Sequence, residues 1–467
     1  MSDQRTATAE VYPINETKAP YGLHAGVLGP IETLAQSVSA MAPSTSPSLT
    51  IPLVFAIAGN ATWFVYLVAT GATLLVGFCV SQFARLSASP GSLYSYTAET
   101  LPRIFGVAAG WGLLLAYLAT GASVAGGALY YTNLLSQQFL HWTPPSLLVA
   151  IVVCIVAGYV AYRDVKLSAE LMLWVEVCSL SLICIVLVIL LFRNGLHLDI
   201  RQFQFRGVSF AALGPALVLS MFSFVGFESA TTLGGEARNP LRTIPRAVIQ
   251  CAIIAGVFFV LCSYSEVLGF RGESGKLSET ASPLHLIAAK AGVPPLGIGI
   301  DFGAFISMIA CVLACVTAAS RVLMRMARER LLPRILDKTG VHGTPAGAIV
   351  CSAGIILVAT LLSTVCGISG ADLYDLAGSL SVFGFLTAYA LVSIALPFAL
   401  RARGQHSLLI AAVSAIAALV VALIAAFDLR STADVAHARL PYLYLGYIAA
   451  GSAWYGFRRS SMIAGNA

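Results

Sequence analysis

Charge is what this 467-residue chain has least of: Asp, Glu, Lys and Arg together make up 10% of it, against about 25% in a soluble globular domain. So few charges cannot cover the surface of a water-soluble protein of this length, and most of the surface must face lipid. The net charge of +6 is modest and the basic residues form no long runs, which argues against nucleic-acid binding. No glycine loop of the phosphate-cradling kind occurs, so an ATP-driven pump has no support. The seven histidines (His24, His141, His197, His285, His342, His406, His437) fall in tails, loops or helix ends. None pairs with an acid or cysteine deep in an apolar stretch, so an intramembrane metal hydrolase or haem enzyme has no ligand set, and no metal or other cofactor is expected. A channel would show repeated pore segments or rings of like charge, and neither is seen. A sensor derived from a transporter would need a signalling domain, and the tails are too short for one.

What fills the chain instead is apolar: 58% of residues are hydrophobic and the mean hydropathy is +0.86. A spanning helix needs about 20 mostly apolar residues. Such segments lie near 30–58, 62–84, 92–135, 145–162, 167–192, 208–234, 244–269, 296–327, 345–365, 372–400, 406–427 and 441–457. The expectation is one all-α, polytopic domain of about twelve transmembrane helices. Residues 1–29 are polar and lack the basic-then-apolar order of a secretory signal, so they read as a cytoplasmic tail. The ten cysteines lie within or at the edge of apolar segments, as small packing residues and not as a disulfide framework. Cys311 and Cys315 share a helix face, but no histidine accompanies them to complete a metal site.

Lys and Arg in the connections set orientation. With the N-terminus inside, 19 of the 27 fall on the cytoplasmic side, which places both termini there. The longest outer connection, Arg271 to Gly297, contains an amphipathic stretch from Pro283 to Lys290 that reads either as a lid over the outer mouth or as a passive surface helix.

Two segments are interrupted. The first contains Pro43-Ser44-Thr45-Ser46-Pro47, two prolines among hydroxyl residues; these remove backbone donors and restrict their neighbours. The sixth contains Phe222-Ser223-Phe224-Val225-Gly226-Phe227-Glu228, where an acid stands beside a glycine at a depth at which a carboxyl is costly and functional by default. Segments one and six are the first members of two five-helix halves. Carriers place binding sites at matched helix breaks near mid-membrane, because half-helix ends offer free N–H and C=O groups there.

Three stretches carry a resemblance. Phe222 to Thr231 with Glu236-Ala-Arg-Asn239-Pro240 to Arg246, then Arg85-Leu-Ser-Ala-Ser-Pro90-Gly91 to Tyr96, and Ser320-Arg321 to Pro333 resemble, in order, motifs of the amino acid–polyamine–organocation transporter superfamily. The resemblance implies a five-plus-five inverted repeat (about 30–192 and 208–402, within a core of 30–402) with discontinuous helices one and six, and two added helices in 403–467. It implies secondary transport of a small amino acid or related amine across the plasma (inner) membrane, possible coupling to protons, sodium or exchange, and no enzymatic activity. Substrate carboxylate would rest on the amides near Ala42, Ser44, Thr45 and Ser46, as half-helix N-termini attract anions. The ammonium would meet carbonyls near Phe222, Val225 and Gly226. Phe222 falls where relatives carry a gating aromatic, and Phe227 is a further contact candidate. The chain departs from the pattern in three places: Pro43–Pro47 replaces a glycine-rich break, Ser179 stands near the position of a helix-five lysine, and Cys315 near that of a helix-eight aromatic. The last makes a bulky guanidinium substrate less apt, and small neutral amino acids come before amines or polyamines.

Three acids lie within spans: Glu176, Glu228 and Glu266. A carboxyl at such depth can load and release a proton. Glu228, beside a break, is the candidate either to couple protons or to hold the break by hydrogen bonding. Glu176 reads as a structural hydrogen-bond partner, and Glu266 as close enough to the outer end to reach water. Ser307, Thr317 and Ser320 supply hydroxyls that would suit sodium, although hydroxyls also satisfy themselves within helices.

Overall fold

The computed structural model describes residues 22–163, 165–195, 197–205, 208–271, 277–405, 407–430 and 436–464. Most of the tail expected at 1–29 lies outside the described residues, as do His406 and several loop residues. The helices are α1 (Pro30–Met41), α2 (Ile51–Ala58), α3 (Thr62–Ala84), α4 (Ser92–Ala98), α5 (Arg103–Leu140), α6 (Ser146–Arg163), α7 (Val165–Arg193), α8 (Ile200–Phe203), α9 (Phe210–Phe222), α10 (Pro240–Gly269), α11 (Pro283–Lys290), α12 (Pro294–Arg328), α13 (Ala346–Val365), α14 (Gly370–Ala402), α15 (Leu408–Arg430) and α16 (Leu440–Ala464). Proline occupies the first turn of α1, α10, α11 and α12, where its missing N–H is one that the helix would leave unpaired anyway.

Nine stretches among the described residues are long and apolar enough to cross a membrane, and one of them, Pro30–Ala84, joins the first two sequence segments. Each of the twelve sequence segments has its helix or helix pair in order, with one refinement. The third, expected as one run from 92, divides into α4 and α5, because Pro102 starts a new helix.

Helix neighbours show the repeat. α5 packs on α14 as α12 packs on α7; α5 on α13 as α12 on α6; α1 on α10 as α9 on α3; and α1 on α7 as α9 on α14. Each pair maps to its counterpart when segment n becomes n+5. Five crossings return the chain to the opposite face, so the second half is inverted relative to the first. The α5–α14 contact is set by small residues: a Cβ on Gly384 would lie 2.3 Å from the Gly112 carbonyl oxygen. Backbone contact of that closeness is how helices associate where no hydrophobic drive separates protein from lipid.

At the arginine-rich end, the chain before α1 pairs with the chain after segment six: the Leu28 amide donates to the Glu236 carbonyl at 3.1 Å, and the Arg238 amide to the Leu28 carbonyl at 2.7 Å. At the other end α11 buries Leu284, Ile287 and Ala288 and packs on α12 and on the turn Ser46–Thr50 of segment one. Asp301 of α12 holds it, accepting from Ser282 and meeting His285 Nδ1 at 2.7 Å.

Candidate functional site

Both expected interruptions are present. α1 ends at Met41, and Ala42 turns left-handed (φ 45°, ψ 63°) with its amide returned to the Val38 and Ser39 carbonyls. The chain restarts at Thr45 through a π-turn over Ser46–Thr50 and continues as α2. Prolines 43 and 47 carry no N–H, and the Ser44 amide makes no hydrogen bond among the described residues. Segment six stops at Phe222, runs as turns to Glu228 and resumes as a 3-10 helix over Ser229–Leu233.

The two interruptions touch. Gly226 has φ +90°, and a Cβ there would meet the Ala40 carbonyl oxygen at 2.8 Å. Glycine is required both for the positive φ and for the approach. Beside it the Ala230 amide donates to Ser37 Oγ at 2.9 Å, and Gln36 Nε2 donates to Ser229 Oγ and to the Ala314 carbonyl, each at 3.0 Å.

Between the breaks lies a buried cavity of about 10 Å³, lined by Ala40, Met41, Thr45, Ser46, Thr120, Val124, Phe222, Val225, Cys311 and Tyr374. That volume suits roughly one water, so admitting a larger molecule requires the lining side chains to part. Phe222 meets Tyr374 edge-on with ring centroids 5.4 Å apart, and the Tyr374 hydroxyl lies 2.8 Å from Thr50 Oγ1. These rings close the cavity on the side of α14 and the π-turn.

Of the residues singled out from sequence, Thr45, Ser46, Phe222 and Val225 line the cavity. Ala42 forms the turn, and Gly226 packs on Ala40. Phe227 turns away to meet the Tyr389 ring at a tilt, with centroids 5.4 Å apart. Ser44 faces Glu176 of α7. Sequence reasoning missed Ala40 and Met41 at the end of α1, and Thr120, Val124, Cys311 and Tyr374 on other helices. On α12 the lining residue is Cys311, whose thiol donates to the Ala40 carbonyl at 3.3 Å, one turn from Cys315. No group of three or more potential metal ligands occurs among the described residues. Thr317 and Ser320, offered as sodium ligands, sit beside Arg321: Ser320 Oγ bonds the Thr317 carbonyl at 2.8 Å and Arg321 Nη1 the same carbonyl at 2.9 Å.

The Glu228 carboxylate is fully buried and accepts from the Tyr117 hydroxyl at 2.9 Å and the Tyr389 hydroxyl at 2.6 Å. Those tyrosines stand on α5 and α14, so one side chain fastens the segment-six break to two helices. Glu266 corrects its sequence reading: it is fully buried, and neither carboxylate oxygen has a partner among the described residues. It lies within α10, near Tyr66 and Cys262, too deep to reach water.

Two motifs 85 residues apart meet at the arginine-rich end. Arg321 Nε and Nη2 donate to Glu236 Oε2 and Oε1, both at 2.7 Å, and both residues are at most 1% exposed. This bidentate pair ties the exit of segment six to α12.

The comparisons with known proteins agree with this architecture. The sequence model of the family described as amino acid permease matches residues 48–433. The branched-chain amino acid permease BcaP of Bacillus subtilis (strain 168) is 27% identical over 359 residues, covering 72% of this chain and 73% of the relative. The low-affinity putrescine importer PlaP of Escherichia coli (strain K12) is 25% identical over 340 residues, covering 70% and 71%. The methylthioribose transporter of B. subtilis is 27% identical over 296 residues, covering 60% and 62%. With two interrupted segments meeting in a buried cavity and a family match across most of its length, this chain belongs to the amino acid permease family of the amino acid–polyamine–organocation superfamily, and is a multi-pass membrane transporter.

Proposed function

We propose that this chain carries a small neutral amino acid across the cell membrane by alternating access, as a secondary transporter with both termini cytoplasmic. The observation that carries the reading is the cavity between the breaks. Its lining contains no charged side chain, so the two charges of a zwitterion fall to the backbone. The substrate carboxylate takes the amides at the start of the second half of segment one, Ser44 foremost, where half-helix dipoles favour anions. The ammonium takes carbonyls at the end of α9; that of Val225 accepts no hydrogen bond among the described residues. Met41, Val124, Phe222, Val225 and Cys311 leave an apolar space for a short side chain, and Phe222 with Tyr374 forms the gate over it.

A diamine places a second cation in the cavity, and no acid of the lining is there to receive it; this favours the zwitterion over a cargo like that of the putrescine importer. The orientation rests on the positive-inside rule and on arginines gathered at one end, where Arg325 pairs with Glu99 at 3.6 Å and Arg403 reaches the Leu86 carbonyl at 3.4 Å.

Counterflow tests the reading without assuming a driving ion. Purified protein in liposomes preloaded with unlabelled neutral amino acid takes up the labelled form saturably, while putrescine-loaded vesicles show none. The opposite preference would transfer the site to amines. No counterflow with either panel would remove the carrier reading.

A further inference from the structure

Three carboxyls are buried in the membrane core, and their surroundings differ. Glu228 has a tyrosine hydroxyl on each oxygen. Glu266 has none, and it lies apart from the cavity lining. Glu176 of α7 is between the two: Ser307 of α12 donates to Oε1, while Oε2 is without a partner. It is 1% exposed, and no cation pairs with it among the described residues.

What faces Glu176 ties it to the transport site. Ser44 stands across from its carboxylate at the segment-one break, and the Ser44 hydroxyl is itself buried without a partner. α7 packs against both α1 and α12, so α7, the break and α12 meet at this carboxyl. The titratable group facing it from α12 is the Cys311 thiol, which lines the cavity. Asp301 and His285 of α12 and α11 bond each other, and the segment-one break presents the Ser44 hydroxyl. On α7 itself Ser179, one turn on, is a second buried hydroxyl without a partner, packed against Gly303.

We infer that Glu176 is a proton-binding site of this transporter, and that its proton closes the contact between α7 and the segment-one break. A carboxylate here is an unpaired buried charge, the costliest arrangement a membrane interior offers. A proton taken from water on one face adds to an Oε2 lone pair. The resulting O–H donates to Ser44 Oγ, so one proton supplies partners to two buried atoms that lack them and removes the charge. Release to water on the other face reverses the step and returns the unpaired charge, whose hydration requires water to enter between α7 and Ser44; that parts the contact and with it frees the Ala42–Thr45 turn whose amides receive the substrate carboxylate. Glu228, with both oxygens engaged by tyrosines, is the mount of its break and not the proton carrier.

The inference rests on the carrier reading, and the experiment separates the two. In proteoliposomes, wild-type protein accumulates labelled neutral amino acid when an inward proton gradient is imposed. Glu176→Gln retains counterflow but accumulates no more with the gradient than without it, whereas Glu228→Gln keeps the response. Absent wild-type counterflow defeats the carrier reading. Counterflow without gradient-driven accumulation in the wild type, or with accumulation preserved in Glu176→Gln, overturns the proton site. Should Glu176→Gln fail to fold, wild-type protein is treated with dicyclohexylcarbodiimide, which adds to protonated carboxyls in apolar surroundings, and is mapped by peptide mass spectrometry. Labelling of Glu176 that falls as pH rises and falls on adding substrate supports the site; labelling that is absent, or indifferent to pH, overturns it.

Discussion

At the segment-six break each strained or charged group has found a partner. Gly226 rests on the Ala40 carbonyl, Ser223 Oγ lies 3.1 Å from the Tyr66 hydroxyl, Glu228 holds two tyrosines, and the exit is fastened by Glu236 to Arg321. At the segment-one break the corresponding groups are left short: the Ser44 amide and hydroxyl are unengaged among the described residues, and the acid they face is half-satisfied. Two interruptions at matched positions of an inverted repeat are therefore not mechanical equals. One is a mount, and the other is held loosely, as the proposed binding of substrate and proton there requires.

Breaking the mount should cost most. Arg321→Met leaves the Glu236 carboxylate buried without its cation, a loss of about 3–5 kcal/mol, read by SDS-induced unfolding of the purified protein in detergent. Arg321→Met with Glu236→Leu should recover most of that loss, because an apolar pair of similar volume removes the stranded charge. Next comes Gly226→Ala: a non-glycine residue at such a φ costs on the order of 1–3 kcal/mol, and the contact with the Ala40 carbonyl adds to it, so unfolding should shift by at least that much.

Smaller effects sharpen the contrast. Tyr389→Phe and Tyr117→Phe each remove one donor from a buried carboxylate and should destabilise by about 1.5–3 kcal/mol. Counterflow at saturating substrate should be altered less than stability, since neither ring lines the cavity. Ser44→Ala, on the loose side, should change unfolding by less than about 0.5 kcal/mol at a pH that leaves Glu176 ionised, because the hydroxyl it removes then has no protein partner to lose. The same change should nevertheless alter the pH dependence of uptake. A Ser44→Ala protein as unstable as Tyr389→Phe would erase the distinction between the breaks.

Much of this architecture is legible in the sequence, for identifiable reasons. Pro43 and Pro47 lack donors, and Gly226 beside Glu228 breaks an apolar run; both signals are local and survive without coordinates. The cavity walls contributed by α5, α12 and α14 are not local. α5 is apolar on nearly every side, so its periodicity does not single out Thr120 and Val124 as the inward pair. Cys311 and Cys315 sit one turn apart on a shared face, and only packing decides which meets the cavity. Likewise, Glu236 and Arg321 stand in separate motifs, and opposite charge in two apolar surroundings was the available hint that they meet. Glu266 was misplaced because distance along a helix says how near the end a residue lies, not whether α11 and its neighbours cover that end.

Cargo position can be read at Cys311, the one cysteine of the ten that lines the cavity. With the other nine replaced by alanine and counterflow retained, the rate at which a small methanethiosulfonate reagent converts Cys311 to a mixed disulfide is measured with and without saturating transported amino acid. Cargo seated between the Ala42–Thr45 and Ser223–Glu228 turns should shield the thiol and slow the reaction in proportion to occupancy. An unchanged rate at a concentration that saturates transport would contradict a site between the two breaks.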